Sequence, residues 1–203
     1  MPTLYGDAMS GNCYKIQLTL AHLQLDYDWV GIDILAGETR TAEFLALNPN
    51  GRIPLWVTDD GVALAESNAI LYLLARDSDL FPAEPVAQAQ VLQWQFFEQY
   101  SHEPFIATSR YIHRYLGNPP SRAADLEARR APGEAALAVM DRHLETRAFF
   151  VGDSYTIADI SLYAYTHVAP EGGFELTPYV HVCRWLERVA EQPGHIVMNA
   201  SNT

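Results

Sequence analysis

The 203 residues predict an α/β first half followed by an all-helical second half. Three observations carry this. Short apolar runs alternate with helix-period segments up to about residue 76, the composition changes from Asp77 to Pro85, and helical periodicity dominates everything after it. The expected division is 1–76 for the α/β domain, 77–84 for a linker and 85–203 for the helical domain. The length allows a substantial core, in one domain or in two small ones.

Thr3-Leu4-Tyr5-Gly6 reads as a strand closed by glycine, and Ile16, Leu20 and Leu23 mark one face of a helix from about 12 to 23. Residues 27–33 alternate apolar and polar like a half-buried strand. Residues 41–47 form a short helix ended by the turn formers Asn48-Pro49-Asn50-Gly51. The runs 54–58 and 62–65, joined by Asp59-Asp60-Gly61, read as an antiparallel hairpin. Ser67 is placed to cap a third helix that carries the apolar run from Ala69 to Ala75.

Beyond the linker a fourth helix starts near Pro85, a residue suited to a first helical turn. It continues past Pro104 with a kink. Its aromatic residues Trp94, Phe96, Phe97, Tyr100, Phe105, Tyr111 and Tyr115 are spread too widely for one stripe, so this helix should touch several neighbours. Ser121 is placed to cap a helix to about residue 146, with Leu137, Met140 and Leu144 on one face. Thr156-Ile157-Ala158-Asp159 is a capping-box start that makes Asp159 a folding device, with Tyr155 and Ile160 as its hydrophobic staple. Pro170 and Gly172-Gly173 end that helix. Val182, Leu186 and Val189 define the last one, which Pro193-Gly194 closes.

The formal charge is −12, from 25 acidic and 13 basic residues, which argues against a nucleic-acid surface. The densest basic group, Arg122, Arg129 and Arg130, is interrupted by Asp125 and Glu127 and reads as a solvated helix face. Cys13 and Cys183 make no disulfide framework and suggest a reducing compartment. The chain opens without the basic start and apolar run of a signal peptide, and its longest apolar stretch is too short to cross a bilayer. A soluble cytoplasmic protein without membrane partner is expected. His102, His113 and His167 show no metal-ligand spacing with cysteines or acids, so no metal is assigned.

Chemistry is expected at Met9-Ser10-Gly11-Asn12-Cys13-Tyr14-Lys15, where a strand meets a helix start. Unpaired N–H groups and the positive dipole end favour an anion there, and a thiolate is one. Cys13 is a candidate reactive thiol, its pKa lowered by the helix start and Lys15. Alternatively, the Ser10 hydroxyl donates to the thiolate of a bound ligand. The plainer roles stand beside these: Ser10 as an N-cap and Cys13 as buried packing.

Four motifs together resemble the cytosolic glutathione S-transferases over essentially the whole chain. They are Ser10-Gly11-Asn12-Cys13, Asn50-Gly51-Arg52-Ile53-Pro54, Glu66-Ser67-Asn68-Ala69-Ile70 and Tyr155-Thr156-Ile157-Ala158-Asp159. The resemblance implies that the first half is thioredoxin-like, that glutathione is the co-substrate, and that the protein is a homodimer. It implies a cis bond before Pro54, with Ile53 offering its backbone to the cysteinyl part of glutathione. Glu66 and Ser67 resemble the pair that holds the γ-glutamyl end, and Arg52 and Arg40 would meet the glycyl carboxylate. Ser10 stands where theta- and delta-like members place a catalytic serine, Asn12 where nu-class and yeast prion-related members place an asparagine, and Cys13 where beta-class members place a cysteine. Ser10 is preferred as donor, Asn12 next and Cys13 third. A small hydrophobic electrophile, or a disulfide, would lie between the halves against Met9, Phe105, Tyr111 and Tyr115. The implied activity is conjugation of glutathione to soft electrophiles. The alternatives are a glutathione-dependent disulfide reductase or peroxidase, and a non-catalytic binding protein of the same fold.

Overall fold

The computed structural model describes residues 1–198. They form two compact units, Met1–Ser78 together with the segment that begins at Pro193, and Asp79–Gln192. The first unit holds a four-stranded sheet in the order β2-β1-β3-β4, built from β1 (Thr3–Gly6), β2 (Asp28–Gly31), β3 (Leu55–Val57) and β4 (Ala63–Ala65). β1 runs parallel to β2 and antiparallel to β3, and β3 pairs antiparallel with β4. The parallel pair is joined through α1 (Gly11–Leu23), as a parallel connection requires. The short α2 (Ala42–Leu47) is capped by Thr41, whose Oγ1 accepts the Phe44 N–H at 3.2 Å. α3 (Ser67–Ala75) packs against α1.

The expected stripe on α1 proves to be a nearly continuous buried surface. Cys13, Tyr14, Lys15, Ile16, Leu18, Thr19 and Leu20 are all buried. Leu4, Leu55, Trp56, Ile70 and Leu71 complete this core. Ser67 is not the cap of α3 but its first residue. Glu66 occupies the cap position with φ 69° and ψ 112°, a conformation that non-glycine residues rarely adopt.

The segment beginning at Pro193 joins this unit and not the helical domain, which departs from the expected 85–203 boundary. The reason is a set of bonds to α1. The buried Tyr14 hydroxyl donates to the Ile196 carbonyl at 2.6 Å and lies 3.4 Å from His195 Nε2, while His22 Nδ1 donates to the Pro193 carbonyl at 2.5 Å.

The second unit contains α4 (Pro85–Phe97), α5 (Glu103–Arg114), α6 (Ala123–Leu144), α7 (Ile157–Thr166) and α8 (Val180–Ala190). The kink expected near Pro104 is a π-helical turn over Glu98–His102. Proline there cannot supply the N–H that a continued α-helix needs, and the wider turn re-forms the helix at Glu103. The turn is polar inside. Glu98 Oε2 accepts from the Ser161 hydroxyl at 3.3 Å, and His102 Nε2 lies 2.9 Å from Thr166 Oγ1. Because the Thr166 hydroxyl hydrogen goes to the Leu162 carbonyl, at 2.7 Å, His102 Nε2 must be the donor. Ser121 does not cap α6; it lies within a short 3-10 turn, and Arg122 precedes the helix.

All ten residues of α7 are buried, and its start matches the expected capping box. Asp159 is the hub. Its Oδ1 accepts from the Phe150 N–H and from Trp185 Nε1, both at 3.0 Å, and its Oδ2 from the Thr156 N–H at 3.0 Å and hydroxyl at 3.1 Å. Burial pushes this carboxyl up to about 6 against the pull of those donors. α8 presents Val182, Trp185 and Val189 inward; Leu186 is only half-buried, so Trp185 takes its expected place. No helix among the described residues is long and apolar enough to cross a membrane.

Replacing Asp159 with alanine strands four buried donors. The variant should lose about 3–5 kcal/mol of unfolding free energy in chemical denaturation. A second expectation concerns the terminal segment. Burial holds the His22 and His195 pKa values below the ordinary one, so the unfolded chain takes up protons first. Stability from these rings is complete above about pH 6.5 and is lost as the pH falls below it. Amide hydrogen exchange over 193–198, corrected for intrinsic rate, should therefore lose protection between about pH 7.5 and about pH 5.5.

Candidate functional site

In the first unit the turn between β1 and α1 is set by Asp7. Its carbonyl accepts the Ser10 N–H at 3.0 Å, and its Oδ1 accepts the Met9 N–H at 2.8 Å. Ser10 follows in an extended conformation as the N-cap of α1, and its Oγ accepts the Cys13 N–H at 3.4 Å. Capping uses an oxygen lone pair. It leaves the hydroxyl hydrogen for another acceptor, so cap and donor are compatible roles for one side chain. Ser10 is half-buried, at the rim rather than in the core.

Cys13 does the opposite. It is 0% exposed, and it fills the space beside Gly6, where an added Cβ would lie 2.7 Å from its Sγ. Burial pushes its thiol up to about 12, outweighing the hydrogen bond from the Ser10 side. The expectation that the helix start lowers this pKa is therefore corrected: desolvation is the larger effect. Cys13 packs the core and holds its proton at neutral pH.

Asn12 and Ser67 meet although they are 55 residues apart. The Ser67 hydroxyl donates to Asn12 Oδ1 at 3.2 Å, which ties the first turn of α1 to the first turn of α3. Ser67 is buried and Asn12 half-buried. Two positive helix ends are thus held side by side in a chain of net charge −12. Beside Ser67, Glu66 is exposed.

The loop before β3 is organised by Asn48, a buried residue that sequence reasoning took only as a turn former. Its Nδ2 donates to the Arg52 carbonyl at 2.8 Å and its Oδ1 accepts the Asn50 N–H at 3.1 Å. Gly51 at φ 61° lies so close to Arg40 that an added Cβ would stand 2.4 Å from Nη1. Arg40 Nη1 donates to the Asn50 carbonyl at 3.2 Å, so this arginine braces the loop. The Arg52 side chain is exposed. Ile53 is half-buried, and the bond from Ile53 to Pro54 is cis.

The residues expected to face an electrophile fall on separate features. Met9 belongs to the turn of the first unit. Phe105 lines a cavity of about 620 Å³ within the helical unit, with Phe97, Tyr100, Pro104, Pro132 and Val139. Tyr111 and Tyr115 stack on each other with ring centroids 5.0 Å apart. No group of three or more acids, histidines and cysteines among the described residues is arranged to hold a metal.

The chain thus runs from a four-stranded α/β unit into an all-helical unit, and the comparisons name the family that shares this architecture. Residues 9–77 match the glutathione S-transferase N-terminal domain and residues 94–193 the glutathione S-transferase C-terminal domain. The chain is 34% identical to glutathione S-transferase 2 of Anopheles gambiae, over 91% of this chain and 88% of that one. It is 52% identical to a crystal structure of glutathione S-transferase from Pseudomonas fluorescens, with a TM-score of 0.96, covering 97% of this chain and 98% of the other. A Pseudomonas putida glutathione transferase, crystallised with one glutathione disulfide bound per subunit, is 25% identical with a TM-score of 0.83, over 95% of this chain and 88% of that one. The chain belongs to the glutathione S-transferase family.

Cys13 and Cys183 should differ in reactivity. Cys183 is half-buried, with its thiol on the Leu176 carbonyl at 3.2 Å. A colorimetric thiol reagent at neutral pH should modify no more than Cys183 in the native protein and both cysteines in denaturant. Rapid native labelling of Cys13, located by peptide mass, would contradict the packing role.

Proposed function

We propose that this chain is a cytoplasmic, homodimeric enzyme that binds glutathione, ionises its thiol and transfers the sulfur to a small soft electrophile. The observation that carries the proposal is Ser10, a half-buried hydroxyl at the rim of the turn that caps α1 by accepting the Cys13 N–H. Asn12 stands next to it as the second donor candidate. Ser67, Glu66 and the first turn of α3 would take the γ-glutamyl end, and the loop carrying Arg52, Ile53 and Pro54 would take the rest of the tripeptide. Arg40 supports that loop through Asn50.

The magnitudes fit. A free thiol near pKa ~8.5 is mostly protonated at neutral pH, and lowering it by two units requires about 2.7 kcal/mol. One hydrogen bond to a charged sulfur supplies about 1.5–3 kcal/mol, and a helix start about 0.3–1 more. The proton leaves to solvent. The thiolate then forms a carbon–sulfur bond, expelling a halide from an aryl halide or adding to an activated double bond.

Glutathione disulfide in the Pseudomonas putida relative favours thiol–disulfide exchange as the second reading. There the bound thiolate attacks a substrate disulfide and releases one thiolate, with no protein thiol required. Comparing turnover of aryl halides, disulfides and hydroperoxides separates the two. Calorimetry should show glutathione binding at millimolar concentration, and ultraviolet titration a lowered thiol pKa that rises by about 1–2 units in Ser10→Ala. Absence of binding would overturn the proposal, and an unchanged pKa in the variant would remove Ser10 from its assigned role.

A further inference from the structure

Asn50-Gly51 is the sole Asn-Gly pair in the sequence, and it lies in the loop before β3. Such a pair carries a latent reaction. With no side chain on the following residue to hinder approach, the Gly51 nitrogen can reach the Asn50 carboxamide carbon and close a cyclic imide. The fold forces the glycine half of the pair. At φ 61° a side chain would be strained, and an added Cβ would stand 2.4 Å from Arg40 Nη1 and 2.9 Å from the Thr39 carbonyl oxygen. The asparagine half is exposed to water and hydroxide.

Ring closure requires the peptide between Asn50 and Gly51 to turn, and the fold grips that peptide on both sides. Its N–H donates to the Asn48 carbonyl at 2.9 Å, and its carbonyl accepts from Arg40 Nη1 at 3.2 Å. The first bond also holds the proton that must leave before the nitrogen can attack. Arg40 is exposed, so its bond is the clamp that opens with least disturbance.

The product cannot keep the loop as it is. Asn48 spans the loop with one carboxamide, whose Oδ1 accepts the Asn50 N–H at 3.1 Å while Nδ2 donates to the Arg52 carbonyl at 2.8 Å. Opening the imide at its main-chain carbonyl routes the backbone through the former Asn50 side chain. That adds a methylene between the two anchor points, and a planar carboxamide of fixed size no longer reaches both.

We propose that Asn50 is a modification site at which deamidation to isoaspartate frees the Arg52 carbonyl and disables the loop, and that Arg40 and the Asn48 carbonyl hold this reaction in check. The consequence for glutathione rests on the binding reading above; the modification itself does not. In the first step the Gly51 N–H gives its proton to hydroxide and the nitrogen bonds to Asn50 Cγ. The Cγ–Nδ2 bond breaks, and Nδ2 takes a proton from water and leaves as ammonia. Water then adds to the main-chain carbonyl of the imide and cleaves its bond to the Gly51 nitrogen. Water is consumed and ammonia released, with nothing oxidised or reduced.

The experiment ages native wild type, native Arg40→Ala and denatured wild type side by side at mildly alkaline pH. Peptide mass spectrometry follows the exchange of NH2 for OH at Asn50, and isoaspartate methyltransferase labelling identifies the isomer. Native wild type should convert at least about tenfold more slowly than the denatured chain, and Arg40→Ala about three- to tenfold faster than native wild type. Equal rates in native and denatured wild type, or in wild type and Arg40→Ala, would overturn the proposal, as would an Asn50 that stays intact in the denatured chain. Should Arg40→Ala fail to fold, hydrogen exchange at the Gly51 amide of wild type decides: protection supports the clamp, and exchange at the denatured rate refutes it. Converted wild type, separated by its added negative charge, should bind glutathione about three- to tenfold more weakly than fresh protein in calorimetry. Asn50→Gln, whose longer side chain disfavours ring closure, should keep its affinity through the same ageing. Unchanged affinity in the converted fraction, or an equal loss in Asn50→Gln, would remove the functional consequence. Fresh wild type that binds no glutathione would fail the underlying reading and that consequence together, while the conversion rates would still decide the modification site.

Discussion

A helix buried along its sides has only its ends to offer a ligand, and α1 is such a helix. From Cys13 to Leu20 nearly every side chain is inside. What remains accessible is the first turn, where the backbone N–H groups lack intrahelical partners. The chemistry of the first unit depends on this constraint. It puts Cys13 in the core, where desolvation keeps the thiol neutral, and leaves Ser10 and Asn12 at the rim. A polar hydroxyl and a carboxamide are the donors that such an end can aim at an anion without a buried charge.

The same logic, a buried polar group satisfied on every side, organises the helical unit. Asp159 gathers donors from the loop before α7, from its own cap and from Trp185 on α8. Three separate stretches of chain are thereby referred to one carboxylate. The π-helical turn at Glu98–His102 follows a related pattern, with Ser161 and Thr166 of α7 placed against Glu98 and His102. A central helix buried on all faces needs such polar registration, because apolar packing alone is not directional.

Much of this was legible along the chain. The strand and helix order, the hairpin at Asp59-Asp60-Gly61 and the capping box at Thr156-Ile157-Ala158-Asp159 all follow from interactions within a few residues, which local patterns encode. The places where reading failed are those where distant chain intervenes. Ser67 reads as a cap, yet Glu66 takes that position at φ 69°. Cys13 reads as a thiol activated by a helix start, a judgement that omits the burial contributed by Gly6 and the rest of the core. The tail reads as the end of the helical domain, but bonds to Tyr14 and His22 draw it to the first unit.

By itself, the order of residues determined the fold class, the family and the short list of Ser10, Asn12, Cys13, Glu66 and Ser67, since each rests on periodicity or on motifs a few residues long. Tertiary structure alone decided between them. Burial is a property of the assembled core, so only the fold could seal Cys13. A hydrogen bond spanning 55 residues leaves no local trace, so only the fold could join Asn12 to Ser67.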